Sequence, residues 1–302
     1  MPIDLDKYFE RIQYAGPTHV SLETLKAIHV AQAFSIPFEN LQMHESQHAH
    51  NPANFVKLDS QSLFEKLVIQ WRGGYCHENN ELLGLVLEQL GFQVERLAAR
   101  VLLTDNLPET HKLLMITLEG EQWIADVGLA SYNLLEPMRL KESEISEQYG
   151  HTFQLSQTSH GYRLQLFTQQ QWKNLYEFTL QPRQAIDFEP MNYYVSHAPD
   201  FLFYTHRICS ISTPTRRIVL NNYHLKFLYP THEEHKTITE AMYPVVLKQY
   251  FGIQLNTDIT LKPIAPERKK EQAVLPWYSY FSVSEHRLSA QNNSNQMSCV
   301  IS

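Results

Sequence analysis

The hydrophobic pattern of the chain changes its period at Gly91. Before this glycine, apolar residues recur at helical intervals in four segments, 4–12, 22–34, 60–69 and 81–91. After it, short runs rich in β-branched and aromatic residues alternate with turn residues. A helical period and a strand period arrange side chains differently along the backbone, so one segment cannot satisfy both. The sequence therefore predicts a helical region followed by a sheet, which is an α+β organisation.

The residues at segment ends indicate where helices and strands stop. The run ELLGLVLEQLG ends at Gly91, where a helix commonly finishes with a left-handed residue. The strand-like runs FQVERLAARVLL, KLLMITL and QWIADVGL follow, with turns at 119–121 and 159–161, and YEFTLQP at 176–182 alternates its apolar residues. We expect an antiparallel β-barrel or strongly curved sheet across about residues 92–185.

The chain divides into four parts on this reading. Residues 1–91 form the predicted helical bundle and residues 92–190 the predicted β-barrel. Residues 191–264 mix both periods and include an apolar helical run at 238–251. Residues 265–302 are a C-terminal extension, and its stretch SAQNNSNQMS has the low complexity of a flexible tail.

Charge and cysteine content disfavour several classes of protein. The chain has 25 basic and 32 acidic residues, a net charge of −7 and no block of Lys or Arg, so we do not expect nucleic acid as a partner. The amino terminus MPIDLDKYFERI lacks the pattern of a secretory signal, and no apolar run approaches membrane-spanning length. Three separated cysteines give neither a disulfide framework nor a CxxC metal pair. These features favour a soluble, cytoplasmic protein.

Cys76 is a candidate nucleophile in the stretch RGGYCHENN. Gly73 and Gly74 permit a tight turn, and the amino terminus of the following helix would favour negative charge on sulfur. A reactive thiol needs this access and stabilisation, together with a base that takes its proton. The alternative is a buried cysteine without chemical function.

The segment THKLLMITLEGEQWIADVG supplies a candidate base and carboxylate. His111 begins one predicted strand and Asp126 ends the next, so an antiparallel hairpin would bring both side chains to the same end of the sheet. A carboxylate there would orient the imidazole while the imidazole takes the thiol proton, and Cys76, His111 and Asp126 would form a triad. Alternatively, His111 is a solvated strand start and Asp126 a turn residue.

These segments resemble the triad motifs of the arylamine N-acetyltransferases. The motifs are RGGYC with Asn80 four positions after the cysteine, followed by His111 and the ADVG segment. IPFENL at 36–41 is similar to the amino-terminal motif of that family, and FTLQPRQAIDFEPMNYYVSHAPDFLF at 178–203 is similar to its interdomain region. The resemblance covers most of residues 1 to about 260, in the order and spacing of the family.

The resemblance implies a three-part architecture around a cysteine-protease-like catalytic core. Its parts are a helical bundle that carries the cysteine, a β-barrel that carries the histidine and aspartate, and a smaller α/β lid over residues 191–264. It also implies acetyl-coenzyme A as the acyl donor, with release of coenzyme A, and small aromatic amines, hydrazines or hydroxylamines as acceptors. Transfer would follow a ping-pong course through an acetylated Cys76.

The resemblance further implies roles for residues outside the triad. Phe38 and Phe203 occupy positions similar to the acceptor-pocket aromatics of the family, with ordinary core packing as the alternative. Glu39 and Arg72 are expected to form a structural ion pair beside the triad. The chain departs from the family at Leu129, because it reads DVGLAS where many relatives read DVGFGG. Since this loop shapes the acceptor pocket in the family, the preferred acceptor is left open.

Three other functions are compatible with the same residues. A cysteine hydrolase or transglutaminase-like enzyme would use the same order of Cys, His and a polar orienting residue. An amide-forming acyltransferase would use another acyl donor. A non-enzymatic binding scaffold would retain the fold with an unreactive Cys76, and the slow reaction of an inert thiol with iodoacetamide would identify it.

The chain has 15 histidines, but their spacing predicts no metal site. His44, His48 and His50 lie in MHESQHAHNP, which we interpret as a solvated loop because no cysteine or acidic cluster completes a ligand set. His232 and His235 in THEEHK do not match HExxH.

The carboxyl terminus Cys299-Val-Ile-Ser fits the C-a-a-X pattern for prenylation, and the terminal serine favours farnesyl. One such chain, with no polybasic cluster beside it, would give only weak membrane association. The aromatic residues of the extension are compatible with packing on the lid or with lining part of the cofactor cleft; they are Trp277, Tyr278, Tyr280 and Phe281.

Overall fold

The amino-terminal third of the protein is helical, as its apolar spacing predicts. The computed structural model describes residues 2–46, 56–103, 107–199, 201–256 and 259–264. Its first elements are α1 (Leu5–Arg11), α2 (Leu22–Ser35), the short strand β1 (Phe38–Glu39), α3 (Ser60–Leu63) with a π-helical turn at Phe64–Ile69, and α4 (Cys76–Gln89). The first three predicted helices are confirmed, and the fourth begins at Cys76 instead of residue 81.

Local sequence explains where these helices begin and end. The Asp4 carboxylate accepts a hydrogen bond from the Lys7 amide at the start of α1, and the Ser21 hydroxyl accepts one from the Thr24 amide at the start of α2. Gly91 follows α4 with a φ of 97°, a left-handed conformation that glycine adopts without steric cost. The predicted end of this helix is therefore confirmed.

Helix α4 is buried along nearly its whole length. Its apolar residues Leu82, Leu83, Val86 and Leu87 are fully inaccessible to solvent. Its first turns also bury polar side chains, which need hydrogen-bond partners inside the protein. Glu78, for example, pairs with Lys66 at 2.7 Å. A polar helix start inside an apolar bundle is unusual, and it buries Cys76 in an apolar cluster with Phe38 and Val195.

The middle of the chain forms an eight-stranded, barrel-like antiparallel sheet. Its strand order is β5-β4-β3-β2-β9-β8-β7-β6, and its predicted hairpin turn at 119–121 has two residues of positive φ, Glu119 and Gly120. The α+β class and the barrel architecture are thus confirmed. The strands are β2 (Gln93–Val101), β3 (Glu109–Leu118), β4 (Glu121–Ala125), β5 (Met138–Arg139), β6 (Ile145–Gln148), β7 (His151–Gln157), β8 (Tyr162–Thr168) and β9 (Gln171–Phe178).

The amide of Gln148 bridges the gap between the two edges of the barrel. Gln148 is buried in the edge strand β6. Its Oε1 accepts hydrogen bonds from the Leu135 amide at 2.8 Å and the Glu136 amide at 3.0 Å. Its Nε2 donates to the Glu136 carbonyl at 3.0 Å. One side chain therefore supplies the contacts that a further strand pair would otherwise make.

A second sheet and three helices form the last part of the described chain. The sheet has the order β1-β10-β11-β12-β13 and is antiparallel throughout. Strand β1 comes from the amino-terminal third and pairs Phe38 with Ser210. The remaining elements are α5 (Phe188–His197), α6 (Leu202–Thr205), β10 (Ile208–Ser212), β11 (Arg217–Asn221), β12 (His224–Leu228), β13 (Glu233–Thr237) and α7 (Tyr243–Phe251).

Two predicted element boundaries are wrong. The strand expected at 176–182 ends at Phe178, and Leu180 lies outside it with 36% of its surface exposed. The helix expected at 238–251 begins only at Tyr243. Pro244 lies in its first turn, the place where a residue without an amide hydrogen is tolerated in a helix.

Within the described part of the chain, no helix combines the length and the apolar composition that crossing a bilayer requires.

Candidate active site

Cys76 is the first residue of α4 and lies in a crowded turn. Its side chain is almost fully buried, with 6% of the residue exposed, and its sulfur lies 3.8 Å from the Thr110 carbonyl oxygen. The preceding glycines are required by close packing, since a Cβ on Gly73 would come within 2.2 Å of the Pro37 carbonyl oxygen. The Glu78 carboxylate accepts a hydrogen bond from the Tyr75 amide at 3.1 Å and caps the helix start.

His111 and Asp126 meet at one end of the β3–β4 hairpin. His111 lies in β3, and Asp126 directly follows β4. The His111 Nε2 atom is 2.8 Å from the Asp126 Oδ2 atom. Burial alone would lower the pKa of His111, but the Asp126 carboxylate and then Cys76 raise it to about 10. The hairpin expected from the sequence thus brings the imidazole and the carboxylate together, and His111 also interacts with Cys76.

The Asp126 carboxylate is fully buried and held by several donors. Its Oδ1 atom accepts hydrogen bonds from Asn80 Nδ2 and from the Gly128 amide, each at 2.9 Å. Burial by itself raises the pKa of this carboxyl. The His111 charge and these hydrogen bonds lower the pKa by more than burial raises it, so the pKa lies below its ordinary value. Asn80 lies one helical turn after Cys76 on the same face of α4. The helix therefore contacts His111 through Cys76 and Asp126 through Asn80.

His29 supports Asp126 from α2, and the sequence gives no signal for it. The Asp126 amide donates to His29 Nε2 at 3.1 Å, so that nitrogen is the acceptor. The other ring nitrogen, Nδ1, then donates to the Leu135 carbonyl at 3.2 Å. Burial lowers the pKa of His29 to about 4, which keeps the ring neutral and preserves both contacts.

Arg72 forms a buried ion pair beside Cys76, with one partner that the sequence did not indicate. Its guanidinium lies 2.8 Å from the Glu39 carboxylate and 2.9 Å from the Glu45 carboxylate. Glu39 also accepts a hydrogen bond from the Leu41 amide at 2.6 Å. Burial raises the pKa of Glu39, but Arg72 and its other partners hold it below the ordinary value. These contacts fasten β1 to the turn before α4.

An apolar cavity of about 110 Å³ opens onto Cys76 and His111. All three parts of the fold contribute to its wall, and almost all of the lining atoms are apolar. Phe38, Leu129 and Phe203 line it together with the cysteine, and the Phe38 and Phe203 ring centres are 5.7 Å apart. Further lining residues are Leu103, Ala130, Ser131, Tyr132, Val195, Phe201, Val219 and Asn221.

The sequence predicts that His44, His48 and His50 lie in a solvated loop, and the structure tests this prediction at His44. His44 is buried and its Nε2 lies 3.0 Å from the His206 carbonyl oxygen. Burial lowers its pKa to about 4. The solvated interpretation is therefore wrong for His44, because its ring packs beneath α6, while His48 and His50 lie outside the described residues.

The remaining sequence predictions concern metal binding and the carboxyl terminus. His232 and His235 lie on the surface beside Glu234 and Glu233. The described residues contain no group of three or more His, Cys, Asp or Glu side chains suited to a metal ion. Cys299 and the aromatic residues at 277–281 lie outside the described part of the chain.

The cysteine at the start of a helix lies beside a histidine in one strand and an aspartate directly after the next strand, which is the cysteine-protease-like core that the family resemblance implied. A family model described as N-acetyltransferase matches residues 21–260, and this match makes the protein an acyltransferase enzyme. An arylamine N-acetyltransferase of Escherichia coli is 34% identical over 255 residues, which cover 82% of this chain and 88% of that protein. The chain belongs to the arylamine N-acetyltransferase family.

Two further relatives describe the range of the family. A Salmonella typhimurium protein named arylamine N-acetyltransferase / N-hydroxyarylamine O-acetyltransferase is 33% identical over 260 residues, covering 83% of this chain and 89% of its own length. The solved structure of Mycobacterium marinum arylamine N-acetyltransferase in complex with CoA has a TM-score of 0.77 and 30% identity. That alignment covers 83% of this chain and 93% of the solved one.

Proposed function

We propose that this enzyme transfers an acetyl group from acetyl-coenzyme A, through Cys76, to small arylamines, arylhydrazines or hydroxylamines. The observation that carries this proposal is the contact chain from Cys76 through His111 to Asp126 at the end of an apolar cavity. The relative solved in complex with CoA supports the choice of donor.

In the first half-reaction, the Cys76 sulfur attacks the thioester carbonyl carbon of the donor. His111 is cationic near neutral pH because Asp126 raises its pKa, so it stabilises a thiolate on Cys76. The new carbon–sulfur bond forms as the bond to coenzyme A breaks, and His111 donates its proton to the departing sulfur. Exchange of one thioester for another changes the bond energy little, so acetyl-Cys76 retains its reactivity.

In the second half-reaction, the neutral amine attacks the acetyl carbon of Cys76. His111 is now neutral and accepts the proton that the amine nitrogen loses, while the Cys76 sulfur leaves as a thiolate. Asp126 holds the imidazole in position and stabilises its charged form. Phe38, Leu129 and Phe203 provide an apolar surface for the acceptor ring, and the apolar wall disfavours water, which would otherwise hydrolyse the thioester.

Intact-protein mass spectrometry tests this proposal directly. We expect a single acetyl adduct after mixing with acetyl-coenzyme A, and we expect it to disappear when an aromatic amine or hydrazine is added. Cys76→Ala should form no adduct. Cys209→Ala is the matched control, because Cys209 is also buried but does not line the cavity, and it should form the adduct normally.

Other outcomes identify the rival functions. A folded protein with no adduct, in which iodoacetamide labels Cys76 rapidly, indicates a hydrolase or an amide synthase with another acyl donor. No adduct together with an unreactive thiol indicates a binding scaffold. An adduct that hydrolyses at the same rate with and without amine contradicts the transferase proposal.

We propose a cytoplasmic location, and farnesylation of Cys299 where the chain meets a eukaryotic prenyltransferase. The lipid would give weak association with a membrane surface and leave the acetyl transfer unchanged. Incubation of the full chain with farnesyltransferase and farnesyl diphosphate should add one farnesyl mass, and Cys299→Ser should prevent it. Modification that persists in Cys299→Ser, or none in the parent chain, contradicts this part of the proposal.

A further inference from the structure

Arg217 is a buried cation held by backbone carbonyls. It begins strand β11, and only 2% of the residue is exposed. Its Nη1 donates to the Ser131 carbonyl oxygen, and its Nη2 donates to the Asn133 carbonyl oxygen at 3.1 Å. No carboxylate of the described residues lies within ion-pair distance of it, and Nε has no acceptor among them. Burying a guanidinium without a counter-ion is costly, so stability alone does not account well for an arginine here.

The two carbonyls belong to the loop that forms part of the cavity wall. Residues 129–132 line the cavity, and Arg217 binds this loop at Ser131 and just beyond it at Asn133. Two other residues of β11, Val219 and Asn221, also line the cavity. Because side chains two apart share one face of a strand, Arg217 continues the face of β11 that borders the cavity.

The loop has a strained backbone where Arg217 holds it. Ala130 has a φ of 47°, a left-handed conformation that residues with a Cβ adopt at a steric cost. Its side chain and that of Leu129 face the cavity. A loop in this conformation persists only where surrounding contacts determine it, and the hydrogen bond to the Ser131 carbonyl acts on the next residue.

We propose that Arg217 is a positioning residue for the acceptor: it fixes the Leu129–Tyr132 wall from the third part of the fold and thereby sets which amines the cavity accepts. This inference rests on the proposed acetyl transfer through Cys76. The triad groups, which serve both half-reactions, are held by other contacts, since His111 is positioned by Asp126 and Asp126 by Asn80 and His29. Arg217 therefore acts on the second half-reaction more than on the first.

Steady-state kinetics separate an effect on the acceptor half-reaction from an effect on the donor half-reaction. In a ping-pong reaction, kcat/KM for each substrate reports only its own half-reaction. We expect Arg217→Met to lower kcat/KM for aniline and 4-butylaniline by about tenfold, with a changed ratio between them, and to leave kcat/KM for acetyl-coenzyme A within about twofold. Arg217→Lys retains a donor for one carbonyl at a time and should recover part of the loss.

Arg207→Met is the matched control. Arg207 is a second fully buried arginine, but its side chain contacts Glu240, the Lys262 carbonyl and the Tyr243 ring, none of which lines the cavity. It should alter stability without changing the ratio of the two acceptors. Both variants are compared with the parent enzyme at a temperature where circular dichroism reports them folded.

The outcomes distinguish this inference from the proposed function. If the parent enzyme forms no acetyl-Cys76, the proposed function fails. If the parent enzyme turns over normally but Arg217→Met leaves both acceptor constants unchanged, or lowers the donor and acceptor constants by the same factor, the positioning role is wrong. Should Arg217→Met not fold, Arg217→Lys decides the matter, because an acceptor ratio identical to that of the parent overturns the inference.

Discussion

Asp126 keeps its charge inside the protein because hydrogen bonds replace the water that it loses. Its carboxylate contacts His111, Asn80 and the Gly128 amide, and its own amide donates to His29. A buried carboxylate with this many donors remains ionised at neutral pH. The charge in turn raises the pKa of His111. The chemistry proposed for Cys76 therefore depends on residues that never contact a substrate.

Asp126→Asn tests this dependence with little change in shape. Asparagine cannot stabilise the imidazolium of His111, so we expect the rate of acetyl transfer to fall by about 1,000- to 10,000-fold. Single-turnover acetylation of Cys76, followed by mass spectrometry, measures it. Asp59→Asn is the control, since Asp59 caps α3 at the surface, and its rate should stay close to that of the parent. An Asp126→Asn enzyme with more than about a tenth of the parent rate would contradict the role of the carboxylate.

The loop between β4 and β5 is the element where the three parts of the fold meet. His29 from α2 contacts it at Asp126 and Leu135. Arg217 from β11 contacts its middle, and Gln148 from β6 contacts its end. One backbone hydrogen bond lies inside the loop, from the Tyr132 amide to the Leu129 carbonyl at 2.8 Å, and side chains from elsewhere satisfy further backbone groups. Its conformation is thus set by tertiary contacts, although it contains part of the proposed site.

Gln148→Met tests how much the barrel depends on its bridging amide. Methionine has a similar volume but leaves the amides of Leu135 and Glu136 and one carbonyl unpaired, so we expect a loss of about 3 kcal/mol in the free energy of unfolding. Urea denaturation followed by circular dichroism measures it. Gln165→Met removes a side-chain contact to Asn174 on the outer surface, and it should change stability by less than about 0.5 kcal/mol. Equal stabilities of the two variants would exclude a special role for Gln148.

Four histidines with lowered pKa values make the stability of the whole molecule depend on pH. Burial lowers the pKa of His29 and of His44 to about 4, that of the half-buried His151 to about 3, and that of His77 well below its ordinary value. Unfolded histidine has a pKa near 6.5, so the unfolded state binds more protons at acidic pH. The contribution of these neutral rings is fully present above pH 6.5 and is lost as pH falls through the folded-state values. The contribution of His111 to stability changes with pH in the opposite direction, because the pKa of His111 is raised in the folded state. This contribution declines as pH rises towards 10.

We expect the Tm to fall steadily from pH 6.5 to pH 4, and His29→Gln to reduce that fall. His29 alone accounts for a loss of about 3 kcal/mol over this range, because its pKa differs by about 2.5 units between the two states. Glutamine retains an oxygen that can accept from the Asp126 amide but has no group that titrates there. Calorimetry or urea denaturation at several pH values measures the slope. An unchanged slope in His29→Gln would show that this histidine is not the source.

The sequence by itself determined the order of the parts and the residues of the proposed triad. Helical spacing located α1 and α2, and the turn at 119–121 set the hairpin that brings His111 near Asp126. These predictions rest on interactions between residues close in the chain, where periodicity and turn chemistry act directly. The RGGYC stretch made Cys76 a candidate nucleophile through local features, its glycines and helix start, and the family resemblance added its role in the proposed triad.

Only the tertiary structure decided which distant residues support the site. His29 and Asp126 are 97 residues apart, and Arg217 and Ser131 are 86 apart. Apolar spacing predicts which face of a helix or strand is buried, but it does not predict which other element packs against that face. A buried histidine, glutamine or arginine has no local signature, because its partner is a backbone group supplied by another part of the fold. The apolar cavity beside Cys76 also depends on the tertiary structure, since its wall exists only after all three parts have packed together.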